Sequence, residues 1–231
     1  MTARILLAAL AGGLLGATML TPAQAADLPS SRVAPASPSF ASFNPWMVRV
    51  RGLFVVPNDE SRVYTPAGRV PGGRTDITNT LVPELDITYF FTPNIAAELI
   101  LGTTPHTAKG AGALAGLGKL GSVWLLPPTL TLQYHFTGLG AFKPYVGVGV
   151  NYTLFYNEKD YGLARFRVND AFGVALQVGF DYMLNQNWGL NVDVKKLWLR
   201  PEAKGLLGAT PVKAKLNLDP WLIGVGVTYK F

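Results

Sequence analysis

The sequence predicts an all-β fold, an eight-stranded antiparallel β-barrel that closes within a membrane. The 231 residues are 49% hydrophobic and only 15% charged, which excludes a disordered chain and is unusual for a water-soluble domain. Eight segments alternate apolar residues with polar or small ones at a period of two, as β-strands do. Beyond the N-terminus, no apolar run reaches the roughly 18 residues of a membrane-spanning helix, so the closed barrel is the remaining membrane-spanning structure.

The first 25 residues are predicted to be a signal peptide rather than part of the fold. Arg4 precedes an apolar run, and Ala23-Gln24-Ala25 supplies an Ala-x-Ala cleavage site. An uncleaved membrane anchor would need a longer apolar span. Cleavage after Ala25 leaves a Pro-, Ser- and Ala-rich segment at 26–45, which we expect to be flexible and periplasmic. The folded domain is then 46–231.

Each predicted strand has one apolar face and one polar, charged or small face. In the first strand, Val48 and Val50 alternate with Arg49 and Arg51. In chain order, the eight strands and residues that mark their second face are 46–57 (Arg49, Arg51), 81–91 (Glu84, Asp86), 95–103 (Glu98), 128–136 (Gln133, His135), 145–155 (Gly147, Gly149), 171–184 (Gln177, Asp181), 188–199 (Asp193, Lys195) and 221–231 (Gly224, Gly226). Alternation alone also fits a soluble β-sandwich.

The connections between strands favour the barrel over the sandwich. Short connections (92–94, 137–142, 185–187) alternate strictly with long ones (58–79, 105–123, 157–169, 200–217). All long connections therefore emerge on one side and both termini on the other. Outer-membrane barrels have this asymmetry, with short periplasmic turns and long external loops. We predict a barrel of the outer-membrane type in the cell outer membrane of a Gram-negative bacterium.

Aromatic residues gather at the predicted strand ends, as the interfacial girdles of such barrels require. They are Trp46, Tyr89, Phe91, Tyr134, Phe136, Tyr145, Trp188, Trp221, Tyr229 and Phe231.

The inward faces are predicted to form a charged layer with an apolar pocket above it. The layer comprises Arg49, Arg51, Glu84, Asp86, Glu98, Asp181, Asp193 and Lys195, with Lys230 as a further inward cation. Buried opposite charges must pair, so this layer can be a salt-bridged plug. Chain direction puts apolar residues nearer the outside, namely Leu53, Val55, Ile100, Leu197 and Leu199. Such a pocket suits a small apolar solute that arrives from outside and cannot continue straight down.

Residue types exclude several function classes. The chain has no Cys, which removes disulfides, Cys-ligated metals and Cys nucleophiles. His135 is predicted inward at the periplasmic end and His106 lies beside an external loop without a Ser partner, so no enzyme, metal site or other cofactor is expected. Gly116-x-Gly118-x-x-Gly121 has no helix behind it, so we interpret 110–121 as a flexible apolar flap near the pocket mouth, not a dinucleotide site.

Basic residues are dispersed over the external loops of this chain, whose formal net charge is +6. They are Arg62, Arg69, Arg74, Lys109, Lys119, Arg165, Arg167, Lys204, Lys213 and Lys215. Lipopolysaccharide phosphates are a natural counter-charge, and a solvated surface is the alternative. Without aromatics arranged for stacking, nucleic acid is not an expected partner.

Several motifs resemble the outer membrane protein W (OmpW) family. They are Leu126-Pro127-Pro128-Thr129-Leu130, the run from Lys143-Pro144-Tyr145 to Asn151-Tyr152, Gln177-Val178-Gly179-Phe180-Asp181-Tyr182, Leu218-Asp219-Pro220-Trp221 and Tyr229-Lys230-Phe231. The resemblance implies an outer-membrane barrel associated with passage of small hydrophobic molecules, and Ile100 as a gate-type lumen residue. Tyr229 and Phe231 likewise resemble the signal read by the barrel-assembly machinery, although they can equally be girdle residues.

Two functions remain open from the sequence. One is a passive channel for small hydrophobic molecules, with lateral release into the bilayer where Pro83, Pro127 and Pro128 weaken strand pairing. The other is a plugged structural or adhesive barrel, or a surface receptor, that acts through its external loops. Eight strands leave too narrow an interior for a large water-filled pore. The oligomeric state is left open.

Overall fold

The computed structural model describes residues 44–58 and 60–231. The predicted signal peptide at 1–25, and all but the last two residues of the predicted segment at 26–45, lie outside the described residues. In chain order the strands are β1 (Trp46–Val56), β2 (Glu60–Thr65), β3 (Gly68–Arg69), β4 (Gly73–Ile77), β5 (Thr80–Phe90), β6 (Ile95–Gly102), β7 (Thr104–Gly112), β8 (Lys119–Leu126), β9 (Thr129–His135), β10 (Phe142–Asp160), β11 (Ala164–Val168), β12 (Ala171–Met183), β13 (Trp188–Leu199), β14 (Glu202–Leu207), β15 (Thr210–Asn217) and β16 (Trp221–Lys230). Within this described part, no helix is long and apolar enough to cross a membrane.

Eight of these strands close an antiparallel barrel, so the predicted fold class is confirmed. β1 pairs with β16 and with β5, and the pairing continues through β6, β9, β10, β12 and β13 back to β16. Each barrel strand overlaps one predicted segment. Closure pairs the backbone of every wall strand on both sides, which is the condition for a sheet that contacts lipid.

The period-two pattern separates the two faces of the wall. Apolar residues point outward and stay exposed, as Val50, Leu132, Val148 and Val178 do. Their chain neighbours point inward and are mostly polar. A wall with this pattern can contact hydrocarbon outside while it fills its own interior with hydrogen-bonding groups.

Side chains that accept backbone hydrogen bonds stabilise two of the short turns. Thr92 Oγ1 accepts from the backbone N–H of Ile95 at 2.9 Å. In the same way, Asn185 Oδ1 accepts from Asn187 at 2.9 Å and from Trp188 at 2.8 Å. These local bonds reverse the chain without tertiary support.

Aromatic rings pack in pairs at the periplasmic rim. Tyr229 contacts Trp188 and Phe231, both with ring centroids 4.8 Å away. The prediction that Tyr145 belongs to this girdle is wrong: its side chain is 0% exposed, and its ring stacks on His135 at 4.9 Å. Tyr145 lies two residues before Gly147 and therefore shares that inward face.

The long connections are β-structure rather than irregular loops. β11, β14, β15, β2 and β3 form a second, five-stranded sheet, and β8, β7 and β4 extend the barrel sheet outward from β10. Buried Val63, Leu120, Phe166, Ala203 and Leu216 belong to the apolar cluster that these strands share. We call β2–β4, β7, β8, β11, β14 and β15 the external cap. Sequence reading missed these strands because they are short and their pairing partners lie far along the chain.

The segment 110–121 differs from its prediction in the same way. It forms the end of β7, a 3₁₀ turn at Ala115–Leu117 and the start of β8. Leu114 and Leu117 pack against the apolar cluster of the cap. β10 also continues past its predicted end at 155, because its last residues pair with β8.

Candidate functional site

Arg49 is the lower centre of the charged layer. Its guanidinium makes a two-pronged contact with Asp181, with Nε at 3.0 Å from Oδ1 and NH2 at 2.6 Å from Oδ2. NH1 forms a further ion pair with Glu98. The Arg49 carbon Cζ also lies 4.7 Å from the centre of the Tyr145 ring. One cation thus ties strands β1, β6, β10 and β12 together across the lumen.

Arg51 and Lys195 form the upper part of the layer. Arg51 Nε lies 2.9 Å from Glu84 Oε1, and its NH2 lies 2.6 Å from Asp86 Oδ2. Lys195 Nζ lies 2.8 Å both from Glu84 Oε1 and from Asp193 Oδ1. All eight residues of the predicted layer therefore meet in one network of ion pairs. Fully buried ions need such partners, because loss of hydration is otherwise uncompensated.

Lys230 is the further inward cation predicted from the sequence, and its ammonium group lies against an aromatic ring. Its Nζ is 5.0 Å from the centre of the Phe90 ring, near the periplasmic end of the lumen.

Neutral side chains that the sequence analysis did not assign to the charged layer complete it. Gln133 Nε2 donates to Glu98 Oε1 at 2.8 Å, and Gln177 Nε2 donates to Asp193 Oδ2 at 2.8 Å. Tyr145 OH donates to the same Asp193 oxygen at 2.9 Å. The signal that could have identified these residues is their inward position in the alternation.

Every barrel strand contributes to the layer. The contributing side chains, from β1 to β16, are Arg49, Asp86, Glu98, Gln133, Tyr145, Gln177, Lys195 and Thr228. At this level, the network of side chains spans the cross-section of the lumen. A solute that reaches the layer from above meets charged, hydrogen-bonded groups instead of open space.

An apolar cavity of about 80 Å³ lies directly above the layer. Its lining includes all five residues of the predicted pocket, namely Leu53, Val55, Ile100, Leu197 and Leu199. Glu84 and Lys195 reach it from the charged layer, while Phe166 and Leu216 reach it from the external cap. The cavity is therefore bounded by charge below and by the cap above.

The two histidines lie in different surroundings. His106 lines the apolar cavity and its Nδ1 lies 2.8 Å from the Thr78 carbonyl oxygen. Burial lowers the pKa of His106, against the opposing effect of that hydrogen bond, so the imidazole is neutral at pH 7. His135 Nε2 lies 2.9 Å from Gln133 Oε1 in the polar layer. Among residues 44–58 and 60–231, no group of three or more His, Asp or Glu could hold a metal ion.

The wall beside the cavity has an interruption in its hydrogen-bond ladder. β6 pairs with β9 as far as Ile100 and Thr129, and β7 pairs with β8 from Thr104 and Leu125 onward. Both ladders have the same register, yet the intervening residues 101–103 and 126–128 do not pair with each other. We call these two short segments the wall window.

Proline chemistry explains the wall window. Pro127 and Pro128 have no backbone N–H to donate. The carbonyl groups instead accept hydrogen bonds from β10; the Pro128 carbonyl oxygen accepts one from the backbone N–H of Tyr152 at 3.2 Å. Pro83 lies just beyond the last β5–β6 pair, Glu84 with Gly102. The predicted prolines therefore flank the outer end of β6 on both sides, and the cavity lining includes Gly102 and Pro127.

Comparison with known proteins adds independent findings. The OmpW family model matches residues 45–231. An uncharacterized outer-membrane protein of Sinorhizobium fredii, y4mB, is 52% identical over 214 residues, which cover 90% of each chain. The dibenzothiophene metabolism operon protein PahQ of Pseudomonas aeruginosa is 35% identical, over 85% of this chain and 93% of that protein. The crystal structure of the outer membrane protein OprG of the same species superposes with a TM-score of 0.76 at 32% identity, covering 80% of this chain and 95% of that one.

Proposed function

Because this chain belongs to the OmpW family of outer-membrane proteins, we propose that it is a passive channel for uptake of small hydrophobic molecules. The observation that carries the proposal is the apolar cavity between the external cap and the charged layer. Transfer of an apolar solute from water to such a site is favourable by about 25 cal/mol per Å² of apolar surface buried. The operon name of PahQ, a relative, concerns metabolism of an apolar aromatic compound, which agrees with this solute class.

We further propose that the solute leaves sideways through the wall window. The charged layer would oppose axial passage, since an apolar molecule cannot replace the hydrogen bonds that it would break. At the window, no ladder bonds need to break before strands β6 and β9 separate locally. Gly102 and Pro127 both line the cavity and belong to the window, so a solute in the cavity already contacts this part of the wall.

Uptake of radiolabelled toluene tests the channel. Cells that express the wild type, Ile100→Trp, Leu99→Trp or no barrel are compared at matched surface levels. Ile100 lines the cavity, whereas Leu99 is its chain neighbour on the exposed outer face. We expect wild-type and Leu99→Trp cells to take up toluene equally, and Ile100→Trp cells to fall to the barrel-free rate. Equal uptake in all four strains would overturn the proposal.

A disulfide across the window tests lateral exit. The chain has no Cys, so the pair Leu101→Cys and Pro128→Cys gives one defined bond at opposite positions of the register. The matched control disulfide joins Leu132→Cys to Val148→Cys, two outward-facing residues paired in the intact β9–β10 ladder. We expect oxidation to stop toluene uptake only in the variant with the disulfide across the wall window, and reduction of that disulfide to restore uptake. Unchanged toluene uptake by cells in which the window disulfide has formed would rule out the lateral route.

A plugged structural or adhesive barrel is the second candidate. The observation that favours it is the contribution of all eight barrel strands to the polar layer, which would make the lumen a support for the external cap. In that case, toluene uptake would not depend on the barrel, and deletion of cap strands β14 and β15 would remove binding to a cell or phage surface while the barrel persisted.

Two partners follow from the location in the outer membrane. We propose that exposed cap lysines bind lipopolysaccharide phosphates. Lys204 and Lys213 already share Glu202, at 3.3 and 2.7 Å, so part of their charge is balanced within the cap. We also propose that Tyr229 and Phe231 are read by the barrel-assembly machinery; Phe231→Ala is expected to reduce insertion into the outer membrane without loss of synthesis.

A further inference from the structure

A second apolar cavity, of about 40 Å³, is lined by residues of the external cap. Leu163, Ala203, Val212 and Ala214 are among its lining residues. Lys204 is the only charged residue of this lining among the described residues. The composition suits the same kind of solute as the larger cavity in the lumen.

Three residues, Ala108, Phe166 and Leu216, line both cavities. Phe166 is the largest of them and is only 3% exposed. Its aromatic ring therefore forms part of the partition between the cap cavity and the lumen cavity. A solute that passes from one cavity to the other would move past the residues that line both, of which Phe166 has the bulkiest side chain.

Gly121 lets the ring of Phe166 lie against β8. A Cβ atom at position 121 would stand 2.6 Å from two ring carbons of Phe166, closer than non-bonded carbon atoms approach. The last glycine of the 116–121 pattern thus has a packing role. Any larger residue there would push the ring toward one of the cavities.

A bulge in β11 sets the direction of the Phe166 side chain. The register between β11 and β14 shifts between Ala164 and Arg167, and Arg165 has a φ of 53°. The Asp160 carboxylate accepts hydrogen bonds from the backbone N–H groups of Arg165 at 2.8 Å and Phe166 at 2.9 Å. The backbone of Phe166 is therefore anchored, and ring rotation is the motion left for opening the partition.

We propose that the cap cavity is an outer docking site for apolar solutes and that Phe166 sets the size of solute that passes into the lumen. The proposal rests on the channel function proposed above and adds its selectivity residue. The supporting contacts all lie in the cap: Phe166 lines both cavities, Gly121 leaves room for its ring, and Asp160 accepts a hydrogen bond from its backbone N–H.

The test compares uptake of radiolabelled toluene with that of the bulkier phenanthrene. Phe166→Ala joins the two cavities, and we expect the phenanthrene-to-toluene uptake ratio to rise roughly tenfold, which corresponds to about 1.4 kcal/mol of transit barrier. Phe166→Leu keeps more of the side-chain volume and should give a smaller rise. Ala203→Trp fills the cap cavity alone and should reduce uptake of both solutes.

Val63→Ala is the matched control. Val63 is buried in the same cap cluster but lines neither cavity, so its truncation loosens the core without opening the passage. A ratio in Phe166→Ala and Phe166→Leu equal to that of the wild type, with Ile100→Trp still blocking toluene, would overturn the role of Phe166 and leave the channel standing. Wild-type toluene uptake at the barrel-free rate would instead overturn the channel itself and this proposal with it.

Discussion

Removal of the Arg49 cation should lower the free energy of unfolding of the barrel. Arg49 is 0% exposed and holds Asp181 through two contacts and Glu98 through a third. Removing one partner of a buried ion pair destabilises proteins by about 3 to 5 kcal/mol. In Arg49→Met, Asp181 keeps donors from Asn191 at 2.9 Å and from Thr228 at 2.5 Å. We therefore expect the lower end of that range, about 3 kcal/mol.

The measurement is urea unfolding of the purified barrel in lipid vesicles, followed by tryptophan fluorescence. Arg200→Met is the matched control, because Arg200 is 69% exposed and lies 3.9 Å from Asp219. A long ion pair whose cation is exposed to water contributes less than about 1 kcal/mol. The double variant Arg49→Met, Asp181→Asn should recover part of the lost unfolding free energy, with a coupling energy between the two substitutions of about 1 to 3 kcal/mol. Equal unfolding free energies for Arg49→Met and Arg200→Met would refute the reasoning.

Three further predictions concern the cap and the wall. Gly121→Ala should make the cap more sensitive to protease by displacing the Phe166 ring, whereas Gly116→Ala, with open space around it, should not. The backbone N–H groups of Phe166 and Arg165 lower the pKa of Asp160 in the folded protein. The ionised carboxylate therefore stabilises the cap fully above the pKa of an unfolded Asp, about 3.9, and this stabilisation is lost as the pH falls through the lower pKa of the folded state. Protease resistance of the cap should thus stay level from about pH 8 to 5 and decline below about 4, a step that Asp160→Asn should lack; a decline already near pH 6 would contradict it. On the lipid face, Val148→Arg should cost about 2 to 4 kcal/mol in urea unfolding and Val148→Leu almost nothing; similar midpoints for the two would contradict a membrane-embedded wall.

The position of Tyr145 marks how far a sequence pattern can be read. Its place at the end of a strand predicted a girdle residue, but the period of two that it shares with Gly147 put it inside. Gln133, Gln177 and Asn191 likewise occupy inward positions that the alternation identifies. What the pattern could not supply is which carboxylate each donor would meet.

The external cap was beyond sequence reading for a different reason. Its strands are two to nine residues long, and β2 pairs with β15 across most of the chain. The bulge at Arg165 also resets the alternation in β11, so that Phe166 cannot be assigned to a face by counting. The wall window could be anticipated from Pro83, Pro127 and Pro128, since loss of a donor depends on the residue type alone.

The sequence by itself determined the eight wall strands, the side of the wall that each residue faces, and the order of charge below apolar residues along the lumen. These follow from local rules: side chains alternate along a strand, and connection lengths alternate between its ends. Only the tertiary structure decided that Arg49 meets Asp181, 132 positions away, and that Phe166 lies between two cavities. Such contacts depend on the stagger between strands and on packing across the closed barrel, which no single segment encodes.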